Sequence, residues 1–163
     1  SLPFPYKLYL KEHPGSIGAR TNNFYKEIKK IPNAVLLSSK ESTPKVIESS
    51  AGVITMTSTV GMEVALAGKP VYVLGNVFYS YHPLCRKIVN FSDLEEKIKN
   101  DIKEGVQTQN LKDINTRFII SYLRSSIPAD MLFAGEKDDK NDYNLICREI
   151  KNWFSEQRNT NNH

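Results

Sequence analysis

Short apolar segments alternate with amphipathic ones along the first hundred residues. The apolar segments are rich in β-branched and aromatic side chains, and they predict strands over 6–11, 34–37, 52–56, 70–74 and, as an edge strand, 87–91. Apolar residues at helical spacing predict helices over 20–31, 42–50 and 60–67, and a further helix from Ser92, where Ser92–Glu95 has a capping-box pattern. Strands that alternate with helices form βαβ units. The pattern therefore predicts an α/β fold in which a parallel sheet has helices on both faces.

After Gly105 the pattern is only helical. It predicts helices over 114–124 and 142–156, the second with Ile146, Ile150 and Trp153 on one stripe. We therefore predict a domain over 1–105, a helical extension packed on it over 106–157, and a disordered tail over 158–163.

Composition narrows the class of protein. With 163 residues, of which 40% are hydrophobic and 25% charged, the chain is typical of a globular domain with a sizeable core. No apolar stretch approaches the roughly 18 residues that span a bilayer, so we expect no transmembrane segment. Cys85 and Cys147 are far apart and outside any CxxC motif, which indicates reduced thiols and no zinc site. The net charge of +4 favours anionic ligands weakly, and no basic-aromatic stripe indicates nucleic acid.

Three hydroxyl residues, Thr57, Ser58 and Thr59, lie between a predicted strand and a predicted helix. In an open parallel sheet, ligands bind where strands end and helices begin. The hydroxyls, the free N–H groups and the helix dipole at this junction would bind an anion such as phosphate. Glu63, about one turn further on, could accept hydrogen bonds from a ribose diol. Alternatively, Ser58 is only an N-cap and Glu63 only a solvent-facing residue.

A second polar segment, 11–16, follows the first predicted strand and therefore lies at the same sheet edge. His13 could donate to a phosphate or a base, and Pro14 would fix the chain direction after it. The alternative is a loop histidine without a role. Lys11 and Arg20 could add positive charge or remain solvated, and strand alternation would point Glu12 away from the His13 side.

The loop that follows the strand over 70–74 carries three aromatic residues, Phe78, Tyr79 and Tyr81. They could form the wall of a base or sugar pocket, or they could pack under the loop.

Four motifs together resemble the capsule polysaccharide biosynthesis family, which includes bacterial Kdo transferases. They are Lys11-Glu12-His13-Pro14, Ser58-Thr59-x-Gly61-x-Glu63, Ala67-Gly68-Lys69-Pro70-Val71 and Gly75-x-x-x-Tyr79. The resemblance covers roughly residues 6–91. It implies a GT-B fold, which has two Rossmann-like halves with the active site between them, and it implies that this chain is the C-terminal, nucleotide-sugar-binding half.

The resemblance also implies roles for individual residues. His13 and Pro14 would contact the donor nucleotide, Ser58 and Thr59 would hold its phosphate, and Glu63 would hold the ribose. The further pocket candidates are Lys11, Arg20, Gly61 and Tyr79. The implied donor is a CMP-sugar carrying Kdo or a sialic-acid-like sugar, and no metal or other cofactor is expected.

The resemblance also implies that two parts of the family pattern lie outside this chain. The acidic base that activates the acceptor belongs to the N-terminal half in this family, and the first strand and helix of the C-terminal half are expected to precede Tyr6 in the parent protein. The expected partners are thus the N-terminal half of the same parent protein, the nucleotide sugar, and a glycan or glycolipid acceptor. We expect the chain alone to transfer no sugar, and we expect it in the cytoplasm, at or near the inner face of the membrane.

Two other functions remain open. The spacing E-x-A-x-x-G-x-P-V, which begins at Glu63, is shared with many GT-B glycosyltransferases and with sugar-nucleotide epimerases of the UDP-GlcNAc type. A non-catalytic domain that binds a nucleotide or a partner protein is the third possibility.

Overall fold

The computed structural model describes residues 2–126 and 144–152. The chain divides into two compact units, Ser1–Ile114 and Asn115–His163. Residues 144–152 are helical, as predicted, whereas both ends of that predicted helix, Trp153 and the predicted tail lie outside the described residues. The domain boundary at residue 105 and the packing of the extension stay predictions.

The described residues form an alternating α/β arrangement. The strands are β1 (Leu8–Leu10), β2 (Ala34–Leu36), β3 (Val53–Thr55), β4 (Val71–Val73) and β5 (Cys85–Lys87). The α-helices are α1 (Asn22–Lys30), α2 (Thr43–Ser49), α3 (Val60–Leu66), α4 (Phe91–Glu104) and α5 (Leu111–Arg124), and Pro14–Ser16 and Phe78–Tyr81 form short 3₁₀ turns. None of the described helices is long and apolar enough to cross a membrane.

All strand pairs in the described residues are parallel, which confirms the predicted fold class. The strands nevertheless form two sheets, one with β1 beside β2 and one in the order β3-β4-β5, where the sequence predicted a single sheet. In a parallel strand, the backbone groups of every second residue form hydrogen bonds with the same neighbouring strand. In β3 the backbone groups of Val53 and Thr55 bond on the side of β4. The N–H and C=O of Ile54 therefore point to the free edge of β3, and no strand pairs there within the described residues.

Strand β4 is the centre of the core. Val71, Tyr72 and Val73 are all buried, as expected for a continuous apolar run with packing on both faces. Tyr72 packs against Ile98 of α4 and donates a 3.0 Å hydrogen bond from its hydroxyl to Asp101, also on α4. This helix is thereby held against one face of β4 by apolar packing and by a partly buried hydrogen bond.

The predicted edge strand exists, but its bounds of 87–91 are wrong: it is β5, at Cys85–Lys87, and it lies at the edge of its sheet. Val89 and Phe91 alternate like strand residues, but both are 79% exposed. The strand position is set by its ladder with β4, in which Cys85 lies opposite Val71. The following helix has Asn90 as its N-cap, so the predicted capping box at Ser92 is wrong as well.

The two cysteines differ in environment, and this difference predicts their reactivity. Both are free thiols, with Cys147 exposed and Cys85 half-buried. Burial raises the pKa of the Cys85 thiol to about 11, although the neighbouring Arg86 lowers it in part. Because the thiolate is the nucleophile, we expect Cys147 to react quickly with a disulfide reagent at neutral pH and Cys85 to react slowly.

The measurement is the time course of thiol titration on the native protein. Cys147→Ser should remove the fast phase and leave the slow one. Equal rates for both thiols would contradict the assignment.

Candidate functional site

A cleft of about 680 Å³ lies at the carboxyl ends of β1 and β3, within the first unit. Leu10, Leu36 and Ile54 form part of its apolar wall. Its polar lining consists of Lys11, Glu12, His13, Ser16, Arg20, Thr55, Thr57, Ser58 and Thr59. Two segments about forty-five residues apart, 11–13 and 57–59, thus meet at one site, as ligand-binding residues do at strand ends in open α/β sheets.

Not all of the predicted site residues line this cleft. His13, Ser58, Thr59, Lys11 and Arg20 do. The others lie elsewhere: Pro14 begins a 3₁₀ turn, Glu63 is exposed on α3, and Gly61 and Tyr79 are buried.

The ring orientation of His13 is fixed by its own turn. His13 precedes the Pro14–Ser16 turn, and its Nδ1 accepts a 3.0 Å hydrogen bond from the Gly15 N–H. In a neutral imidazole one nitrogen accepts and the other carries the proton. Nε2 is therefore the protonated nitrogen, and because the side chain is exposed it can donate to an anion in the cleft.

The 57–59 segment is held by hydrogen bonds to its neighbours. Ser58 N–H donates to the Thr55 hydroxyl oxygen at 3.2 Å, and the Ser58 hydroxyl oxygen accepts from the Val60 N–H at 3.3 Å. Thr59, not Ser58, is the N-cap of α3, and its side chain makes no capping hydrogen bond. The Ser58 hydroxyl still bonds to an N–H at the start of α3, so both interpretations of Ser58, as a capping residue and as a phosphate ligand, stay open. Because α3 has seven residues, the hydroxyls and free N–H groups matter more here than the helix dipole.

Two cations border the cleft. Lys11 Nζ donates to the Ser39 carbonyl at 3.2 Å, and the Arg20 guanidinium lies 5.3 Å from the centre of the Phe24 ring. These contacts hold both side chains in place. Neither forms an ion pair with a carboxylate of the described residues. Their charges favour an anionic ligand.

Glu12 is a cleft residue that strand alternation placed incorrectly. Strand β1 ends at Leu10, so alternation no longer applies at Glu12, and Glu12 lines the same cleft as His13. Its Oε2 accepts a 2.9 Å hydrogen bond from the Tyr25 hydroxyl, while Oε1 is buried without a hydrogen-bond partner among the described residues. The bond to Glu12, together with burial, raises the pKa of Tyr25. The sequence carried no signal for this pair, because its members are thirteen residues apart, one in the loop after β1 and the other on α1.

Gly61 and Tyr79 pack together beneath the 57–59 segment. Tyr79 is fully buried, and its hydroxyl donates to the Ser58 carbonyl at 2.5 Å. A Cβ at Gly61 would lie 2.5 Å from the Tyr79 hydroxyl oxygen. Of the two possibilities for the aromatic loop, packing under a loop therefore applies to Tyr79. Phe78 and Tyr81 are exposed and line a second, more open cavity.

No cluster of three His, Cys, Asp or Glu side chains in residues 2–126 and 144–152 is arranged to hold a metal ion. The polar groups of the cleft are hydroxyls, an imidazole N–H and two cations, with one carboxylate already bonded to Tyr25. This set is suited to holding an anion with attached hydroxyl groups.

Fold and cleft together define a parallel α/β protein with a cleft lined by hydroxyls and cations at the carboxyl ends of its strands. The family model for capsule polysaccharide biosynthesis protein matches residues 3–118, so the chain belongs to that family. The match confirms the resemblance seen in the motifs and extends it past residue 91, through α4 and into α5. Searches of curated proteins and of solved structures find no match. Membership of the family supports a role in capsule synthesis.

Proposed function

We propose that this chain is the donor-binding portion of a GT-B glycosyltransferase that uses a CMP-sugar, with Kdo or a sialic-acid-like sugar as the group transferred. The observation that carries the proposal is the meeting of His13 with Ser58 and Thr59 at one cleft. These residues come from two separate family motifs, and their donor groups match the acceptor oxygens of a phosphate.

Each group has a specific task in this proposal. The hydroxyls of Ser58 and Thr59 and the Nε2–H of His13 donate to the donor phosphate. Lys11 and Arg20 supply positive charge at the same cleft. Glu63 is exposed in the first turn of α3, where its carboxylate is free to accept from the ribose hydroxyls of a nucleotide that extends beyond the cleft.

Sugar transfer by the parent protein would then proceed by displacement at the anomeric carbon. The acceptor hydroxyl oxygen forms the new bond, the bond from the anomeric carbon to the phosphate oxygen breaks, and CMP leaves with the electron pair. The proton of the acceptor passes to a base on the other half of the parent protein. The residues of this chain stabilise the charge that develops on the departing phosphate, an electrostatic effect that often dominates catalysis.

The proposal is tested by thermal unfolding of the chain with a panel of nucleotides: CMP, 2′-deoxy-CMP, UDP and AMP. A ligand at 100 times its dissociation constant adds about 2.7 kcal/mol to the free energy of unfolding. For a chain of this size that corresponds to a rise in Tm of about 5–10 °C. We expect CMP to give the largest rise, and 2′-deoxy-CMP a smaller one because it lacks the hydroxyl that Glu63 would bind.

The panel also separates the alternatives. A rise with UDP equal to or greater than that with CMP would favour the epimerase or a UDP-sugar transferase. No rise with any nucleotide would contradict donor binding and favour a domain that binds a partner protein.

A further inference from the structure

Tyr79 is a core residue that contacts the 57–59 segment, although it does not itself line the cleft. It is fully buried in the Phe78–Tyr81 turn that follows β4. Burial raises the pKa of its hydroxyl, so the proton is retained and the group remains a hydrogen-bond donor. The hydroxyl donates a hydrogen bond to the backbone carbonyl of Ser58, twenty-one residues earlier in the chain.

The segments after β3 and β4 fit closely around this hydrogen bond. The Tyr79 ring fills the space beside Gly61, where a Cβ would lie 2.7–2.8 Å from ring carbons. A Cβ at Gly75 would lie 2.9 Å from both the Met56 carbonyl oxygen and the Thr57 Cγ2. The 57–59 segment therefore has little freedom to move toward the core.

The hydrogen bond also determines the direction of one peptide group. The Ser58 carbonyl accepts both from the Tyr79 hydroxyl, at 2.5 Å, and from the Gly61 N–H, at 3.1 Å. In a planar trans peptide the N–H points opposite to the C=O, so the Thr59 N–H points away from Tyr79. No described residue accepts a hydrogen bond from this N–H, and Ser58 and Thr59 both line the cleft.

We propose that Tyr79 is a positioning residue, which holds the Ser58–Thr59 peptide so that the Thr59 N–H and the adjacent hydroxyls bind the nucleotide phosphate. This inference rests on the proposed function, since it assigns a role within the same phosphate site. It adds a residue that touches no ligand and a backbone donor that no side-chain motif identifies. The contribution is specific to phosphate, because the peptide lies at the 57–59 segment and not where a base or ribose would bind.

The experiment compares Tyr79→Phe with Tyr72→Phe by calorimetric titration of CMP and of cytidine. Each variant removes one hydroxyl from a buried tyrosine, and the Tyr72 hydroxyl bonds to Asp101, away from the cleft. We expect Tyr79→Phe to raise the Kd for CMP about tenfold, the loss of roughly one well-made hydrogen bond to a charged ligand. Its Kd for cytidine, which lacks the phosphate, should not change. Tyr72→Phe should change neither constant.

The ratio of the Kd for CMP to the Kd for cytidine distinguishes a positioning role of Tyr79 from general destabilisation of the protein. An equal loss of CMP and cytidine binding in Tyr79→Phe, or no loss of either, would overturn the inference. If the unsubstituted chain binds no CMP, the proposed function fails first, and the two failures are thereby distinguished. If Tyr79→Phe does not fold, Gly61→Ala displaces the Tyr79 hydroxyl instead, because its Cβ would lie 2.5 Å from that oxygen. A phosphate-specific loss in that variant supports the inference, and an unchanged ratio overturns it.

Discussion

Replacing His13 by asparagine is expected to weaken CMP binding about 10- to 100-fold, the effect of losing a hydrogen bond to a charged phosphate worth about 1.5–3 kcal/mol. The side-chain oxygen of asparagine can replace Nδ1 as the acceptor of the hydrogen bond from the Gly15 N–H, because it is a good acceptor at the start of a helix or turn. It lacks the Nε2–H that would reach the phosphate. The free energy of unfolding should therefore change by less than about 0.5 kcal/mol, as for an ordinary exposed position.

The chain contains a matched control in its second His-Pro dipeptide. His82 Nδ1 accepts from the Leu84 N–H at 3.2 Å, the same local geometry as in His13, but His82 is 1% exposed and lies outside the cleft lining. His82→Asn should lower stability and leave the Kd for CMP unchanged at a temperature where the variant is folded. If His13→Asn retains the parent affinity while folded, His13 does not contact the nucleotide phosphate.

Replacing Lys69 by methionine is expected to lower the free energy of unfolding by about 3 kcal/mol, because three hydrogen bonds from a charged group are lost at once. Lys69 Nζ donates to the carbonyls of Ile47, Glu48 and Ser50 at 2.7, 2.6 and 2.7 Å. These carbonyls lie at the end of α2, where the carbonyls of the last turn lack the usual intrahelical donors. That of Ile47 also accepts from the N–H and the hydroxyl of Ser50. The ammonium also lies at the negative end of the helix. Water can replace part of the interaction, since Lys69 is only half-buried.

Lys45→Met is the matched control, since Lys45 is an exposed lysine of α2 itself. Its removal should change the free energy of unfolding by less than about 0.5 kcal/mol. The measurement is urea denaturation of both variants and the parent chain. Equal stability of the two variants would show that the three contacts of Lys69 contribute nothing measurable. A loss of the expected size is a large part of the roughly 5–15 kcal/mol that stabilises a typical domain.

The position of most elements followed from local sequence patterns. Strands β3 and β4 lie within the predicted segments 52–56 and 70–74, and α1 to α3 lie within the predicted helices. Apolar runs and helical spacing involve residues that are close in the sequence, so they can be recognised from the sequence alone. The misplaced strand near residue 88 shows where local patterns fail to predict an element. Val89 and Phe91 have the alternation of a strand, but the ladder with β4 selects Cys85–Lys87 instead.

The candidate site divides in the same way. The residues His13, Ser58 and Thr59 were identifiable because they follow predicted strands and belong to recognisable motifs, and the cleft brings them together. The place of Glu12 was not identifiable, since it depends on where β1 ends and on the Tyr25 hydroxyl from α1. Likewise, the sequence left open whether Tyr79 lines a pocket or packs beneath a loop, and its contact with the Ser58 carbonyl decides for packing.

The sequence by itself therefore determined the α/β class, the order of the elements, the family, and the histidine, hydroxyls and cations of the cleft. Only the tertiary structure decided that the strands divide into two sheets, that Lys69 binds the end of α2, and that Tyr79 supports the 57–59 segment. The reason is the range of the interactions. Periodicity and backbone preference are set by neighbours within one or two turns, whereas these contacts join groups about twenty residues or more apart. Their partners are chosen by packing and by the hydrogen-bonding needs of buried backbone groups.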